Sequence, residues 1–255
     1  MALFERSLKV FGPEGDTQFT QLHAEKILFT IGVLQNRIGE RFPDSGLLKV
    51  CREFNLLAKS LDQKTKKLRD PIWPVRISSF IAVAAILFMM GYSIYSIWKI
   101  WSQSDLPDYK PTELVSATES LINELIFVSL ALFFLVNLEN RLKRKSALRS
   151  IHMLRSLAHV IDMHQLTKDP VMVFNRPPHA DTSSSPVREM NRYELTRYLD
   201  YCSELLALIS KIGALFAQNT EDEVILESVS DLSEMTQGLS AKIWQKIMII
   251  DLSEE

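Results

Sequence analysis

Cysteine is scarce, with two residues in 255. That excludes a disulfide-stapled fold and a four-cysteine zinc module. Glycine (8) and proline (10) are also few, which excludes collagen-like repeats and long low-complexity linkers. A large excess of charge is missing too: the formal net charge is -2, so no nucleic-acid partner is expected. The chain has no Gly-rich phosphate loop, Walker or kinase signature, nucleophile elbow or HExxH pair. A dispersed site is the only enzymatic form this leaves open. No segment alternates with period two, so strands are not expected.

What the chain does have is apolar length. Ile77 to Trp98 runs for 22 residues without a charge. At about 1.5 Å per residue this covers the ~30 Å hydrocarbon core of a bilayer. Trp73 precedes the run, and Tyr92, Tyr95, Trp98 and Trp101 close it, as interfacial aromatic belts do. A second run, Leu125–Leu138, has only 14 uncharged residues and reaches spanning length by taking in Leu121, Ile122, Asn123 and Glu124.

The basic residues argue for two spans. Lys64, Lys66, Lys67, Arg69 and Arg76 stand before the first run; Arg141, Lys143, Arg144, Lys145, Arg149 and Arg155 follow the second. The short connection between the runs holds Lys99 and Lys110 against Asp105, Asp108, Glu113 and Glu119. The positive-inside rule then places both termini in the cytoplasm, and two spans satisfy both clusters at once. The N-terminal MALFERSLKVFGPEG has no long apolar stretch and no small-residue cleavage site, so the first span is expected to act as an uncleaved insertion signal.

The flanks read as amphipathic helices. Residues 17–41 carry an apolar face interrupted by Gly32 and Gly39, and Pro43–Gly46 reads as a turn. Leu47, Phe54, Leu61 and Leu68 recur every seven residues. Leu142, Leu148, Ile151, Leu154, Ala158 and Ile161 extend the second span as one helix to about Gln165, since no Gly or Pro intervenes from Leu114 to Asp169. Residues 168–190, rich in Pro and Ser, are expected to be a loop. Asn191 with Glu194 predicts a capping box opening a helix, with Leu195, Cys202, Ile209 and Phe216 as its seam. Thr220 with Glu223 predicts a second box, before the face Ile225, Val229, Leu232, Leu239, Ile243, Ile247 and Ile250. These stripes can bury against one another in one chain or, as coiled coils, between chains.

The expectation is therefore an all-α membrane protein: a two-helix transmembrane hairpin with a cytoplasmic helical bundle. Residues 1–72 supply N-terminal helices. Residues 73–140 form the hairpin, with spans at about 77–98 and 120–140 and an external loop at about 101–113. Residues 141–255 supply C-terminal helices. The stretches LRSLAHVIDMHQLTKDP, RYLDYCSELLALISK and KIWQKI resemble two-span bacterial inner-membrane proteins of uncharacterised activity. That resemblance implies a bacterial-type inner membrane and carries no site residue or cofactor with it.

Three functional readings follow. In the first, the bundle mediates self-association or binds a cytoplasmic protein without catalysis, and Lys64, Lys66, Lys67, Arg69, Arg141, Lys143, Arg144 and Lys145 meet lipid heads. In the second, Asn123 and Glu124, with Ser116 and Ser120, form a polar outer stripe at the mouth of an oligomeric channel. Against it stands an ordinary interfacial carboxylate paired with Lys99 or Lys110. In the third, His152, His159 and Asp162 share a helix face and hold a metal or act in catalysis. The simpler alternative is a solvated, hydrogen-bonded face. Cys51 and Cys202 fall on apolar faces and are expected to be core residues, and no cofactor is expected. Residues 168–255 hold 8 basic and 15 acidic residues, an acidic arm that either folds back on the basic collars or stays clear of anionic lipid to meet a partner.

Overall fold

The computed structural model describes residues 21–102, 111–174, 183–184 and 190–252. Among these the protein is all-helical: α1 (Ala24–Arg41), α2 (Gly46–Arg69), α3 (Trp73–Ser102), α4 (Pro111–Leu166), α5 (Pro170–Phe174), α6 (Arg192–Gln218) and α7 (Glu223–Leu252). Two compact units divide them. One groups the chain up to Gln63 with the chain from Ile151 onward, and the other is Lys64–Ser150. The boundaries fall within α2 and α4.

The first unit is a helical bundle drawn from both flanks, so the amphipathic stripes bury against one another within a single chain. Every seam residue expected of α6 and α7 is buried. So are Leu47, Phe54 and Leu61 of α2, and Ile151, Leu154, Ala158 and Ile161 of α4, whereas Leu68 and Leu148 of the same expected faces are half-buried and Leu142 is exposed. α6 goes further. It also buries Leu199 and Leu206 on one side of the seam and Tyr201, Leu208 and Leu215 on the other, and it packs against both α7 and α1. Among the described residues α6 supplies twelve of the 36 buried apolar side chains, more than any other helix, at about 1.5–3 kcal/mol for each large one taken from water.

Helix ends follow local chemistry. At α6 the Asn191 Oδ1 accepts from the Glu194 amide at 2.9 Å, and the Asn191 amide donates to Glu194 Oε2 at 2.9 Å, the reciprocal box read from sequence. At α7 the expected Thr220 cap is displaced. Asp222 Oδ1 accepts from the Ile225 amide, while Thr220 Oγ1 accepts from the Asp222 amide. A carboxylate two residues nearer the helix competes better for its first amides than a hydroxyl does.

The expected loop at 168–190 opens with a short helix instead, α5. Proline tolerates the first helical position because its missing N–H has no partner there, and Asp169 Oδ1 accepts from the Val171 amide at 3.0 Å. Most of the remaining segment lies outside the described residues.

Two glycines mark close approaches. A methyl group at Gly213 of α6 would sit 2.7 Å from Leu232 Cδ2 of α7, and one at Gly46 would run into the His164 ring of α4.

The second unit carries the apolar helix. Trp73–Tyr95 has 23 residues at mean hydropathy 2.0, and none of its most apolar window is buried. α4 holds a shorter apolar stretch, Ile122–Ala131, within its 56 residues. Among the described residues one helix is long and apolar enough to cross a membrane.

Candidate functional site

The exposed apolar surface of the second unit is its most distinctive feature. Phe80, Ile81, Phe88 and Met89 of α3 and Phe127, Leu130, Phe133 and Phe134 of α4 are all more than half exposed. Trp73, Tyr92, Tyr95 and Trp98 are exposed near the ends of the apolar stretch of α3, with the Tyr95 and Trp98 rings 6.4 Å apart. The side chain of Trp101 lies outside the described residues. Water does not tolerate a continuous apolar surface of this size without a partner.

The start of α3 is tied to α4 by one carboxylate. Glu139 Oε2 accepts from Arg76 Nε at 2.9 Å, and Glu139 Oε1 pairs with Lys143 Nζ at 2.9 Å. Oε1 also accepts from the Ile72 amide at 3.2 Å. Ile72 directly precedes α3, so this carboxylate stands at the helix N-terminus, where the backbone dipole favours negative charge. In the sequence Glu139 sits between apolar residues on one side and cations on the other, so no motif singles it out. Its one local signal is Lys143 four residues on; Arg76 is sixty-three residues away.

The expected lipid-facing cations divide. Arg141, Arg144 and Lys145 are exposed, as is Lys66, and Lys64 is half-buried. Lys143 is mostly covered, at 19% side-chain exposure, and is held by Glu139. The side chains of Lys67 and Arg69 lie outside the described residues, as does Lys110. Of the expected channel stripe, Asn123 is exposed and Glu124 half-buried.

In the bundle, His152 and His159 are exposed, and Asp162 Oδ1 accepts from Gln165 Nε2 at 2.6 Å. Among the described residues no group of three or more His, Cys, Asp or Glu is placed to hold a metal ion. Asp162 belongs to a different network. Lys246 of α7 donates to Gln165 Oε1 at 2.6 Å and to the Gln165 carbonyl at 2.9 Å. That carbonyl is one of the last of α4, so the ammonium caps the negative end of a long helix. Burial pushes the Lys246 ammonium down from its ordinary value, against the pull of Asp169 and Asp162.

A second polar cluster joins α1 to α6. Arg37 bonds both carboxylate oxygens of Glu204, at 2.8 and 3.3 Å. The guanidinium groups of Arg37 and Arg197 each stand 5.2 Å from the Tyr201 ring centre, and Phe42 meets that ring and the Tyr198 ring edge-on. These contacts fix one helix against the other. Nearby, a surface groove of about 450 Å³ runs between α1 and α6, lined by Lys26, Thr30, Glu204, Leu208 and Lys211 among others.

Cys51 and Cys202 are fully buried, and burial pushes both thiols up to about 12. A thiol held protonated in this way is a poor nucleophile. No protein family, curated protein or solved structure matches the chain.

Proposed function

We infer that this chain is an integral membrane protein. In this reading α3 and the first half of α4 cross a bacterial-type inner membrane as an antiparallel hairpin. Both termini lie in the cytoplasm, and the helical bundle is a docking platform for a second copy or a cytoplasmic protein.

The observation that carries the reading is the apolar helix Trp73–Tyr95, of whose most apolar window no residue is buried. The core helix of a soluble protein would be mostly buried. The Glu139 contacts support a second crossing. α3 has 30 residues, about 45 Å of helix, and Glu139 lies about as far into α4. The connection between Ser102 and Pro111 reaches roughly 30 Å at full extension. It can return the chain to Arg76 only if α4 runs back alongside α3. Arms of that length exceed the hydrocarbon core and match the whole bilayer including its head groups, ~40–45 Å. The two basic clusters then lie at one end.

The platform reading is supported by α7. Trp244, Met248 and Leu252 follow one another four residues apart and are 55%, 58% and 69% exposed. They form an apolar stripe on the bundle surface, of the kind that marks association.

Membrane fractionation and reporter fusions test the topology. The protein stays in the pellet through high salt and alkaline carbonate. A fluorescent protein on the C-terminus is bright, and alkaline phosphatase is active only when inserted between Ser102 and Pro111. Release into the supernatant, or an active phosphatase at the tail, refutes the reading. For the platform, chemical crosslinking in mild detergent gives dimers or a partner adduct that Trp244→Lys with Met248→Lys abolishes; a strict monomer with no adduct counts against it.

A further inference from the structure

We propose that one face of α4 is a binding surface for an anionic phospholipid, with the acyl chain along Phe127, Leu130 and Phe134 and the phosphate at Arg141, Lys145 and Arg149. The proposal rests on the membrane reading above and names a partner for its helix pair.

The geometry is that of a single helix face. Successive residues turn by roughly 100°, so positions 127, 130, 134, 141, 145 and 149 fall within about a third of the circumference. All six side chains are exposed. The face changes character once, from aromatic and aliphatic before residue 135 to cationic from 141 onward. A phospholipid has the same order of chemistry along its length, an apolar tail and then a charged head.

Lys143 does not belong to this face. It points to Glu139, two to six residues and roughly 120–160° around the helix from the three cations. Lys143 and Arg76 share the Glu139 carboxylate on one side of α4, while the stripe on the other side has no carboxylate within it. Charge complementarity thus selects an anionic head over a zwitterionic one. The three cations are also graded in height. Along the axis Lys145 stands about 6 Å and Arg149 about 12 Å beyond Arg141. With a screening length of about 8 Å in physiological salt, attraction to the leaflet falls in that order.

The test is native mass spectrometry of the full-length protein in an uncharged detergent, titrated with phosphatidylglycerol or phosphatidylcholine. Wild type binds phosphatidylglycerol in preference. Arg141→Gln weakens that binding about fivefold, the equivalent of ~1 kcal/mol for a cation near an anionic surface. Lys145→Gln has a smaller effect and Arg149→Gln the smallest. Lys143→Gln leaves lipid binding unchanged, and Arg141→Lys with Arg149→Lys, which keeps the charges, retains the preference. Equal binding of the two lipids, or a loss in Lys143→Gln as large as in Arg141→Gln, overturns the proposal. A chain retained in carbonate-washed membranes that shows no lipid preference sinks this inference alone. A chain washed free sinks the membrane reading with it.

Discussion

The two buried thiols make the bundle's stability fall in alkali, by an amount that can be worked out. Each of Cys51 and Cys202 has its pKa raised from an ordinary 9.0 to about 12 by burial. In the unfolded chain both ionise near pH 9, whereas in the fold they stay protonated until about pH 12. Between those values the unfolded state binds fewer protons, so stability is intact below about pH 9 and declines as pH rises to about 12. At pH 10.5 each thiol accounts for about 2 kcal/mol, and the pair for about 4 kcal/mol, a large share of a typical domain's stability.

Two other groups modify the slope. Burial also raises the Tyr198 phenol, which adds to the loss above about pH 10. The lowered Lys246 ammonium acts in the opposite sense: the unfolded chain holds that proton longer, so stability gains a little between its depressed value and 10.5. Urea denaturation in detergent, followed by loss of helical ellipticity, measures the difference in unfolding free energy between pH 7 and pH 10.5. Cys51→Ala with Cys202→Ala lowers absolute stability through lost packing, but shrinks that difference by about 4 kcal/mol, and each single variant shrinks it by about 2. An unchanged pH dependence in the double variant refutes the assignment of alkaline sensitivity to these thiols.

Three further outcomes follow from the packing. Gly213→Ala places a methyl 2.7 Å from a Leu232 carbon that is itself fully enclosed. Overpacking of 1–3 kcal/mol outweighs a helix-propensity gain of about 1 kcal/mol, and the melting temperature falls; a rise would show that Leu232 has room to move. Asn191→Ala removes the α6 cap at a cost of about 1 kcal/mol, read as a lower urea midpoint with unchanged slope. Glu139→Gln removes the partner shared by Arg76 and Lys143, and trypsin cleaves at Arg76 several-fold faster in detergent; equal cleavage rates show that the clamp does not hold α3 to α4.

Much of this architecture is written in local patterns. Heptad spacing of Leu47, Phe54, Leu61 and Leu68, and of Leu195, Cys202, Ile209 and Phe216, marks the buried faces at every position but Leu68, which is half-buried, because a helix that must cover one stripe repeats its apolar residues at the helical period. The Asn191 box was equally legible, since its two partners lie three residues apart. The uninterrupted α4 followed from the lack of Gly and Pro between Leu114 and Asp169. Composition and length alone mark Ile77–Trp98 as an apolar helix of spanning length, and the structure has such a helix at Trp73–Tyr95.

What tertiary structure decided is which residues meet across distance. The heptad pattern marks one face of α6, with Tyr198, Leu205 and Ile212 alongside its seam; the fold also buries residues on both sides of that face, because helices from both flanks close around it, and only packing tells an exposed Tyr201 from one wedged beside Arg37, Arg197 and Phe42. Lys143 read as one more cation in a collar until Arg76 and the Ile72 amide converged with it on Glu139. Asp162, which its spacing left open to a metal or to an ordinary hydrogen-bonded face, accepts from Gln165, whose own oxygens accept from Lys246 on the last helix. Periodicity encodes the face a helix must hide, since that is a property of neighbours three and four residues apart. The identity of the partner is fixed only when chain segments many tens of residues apart arrive at the same place.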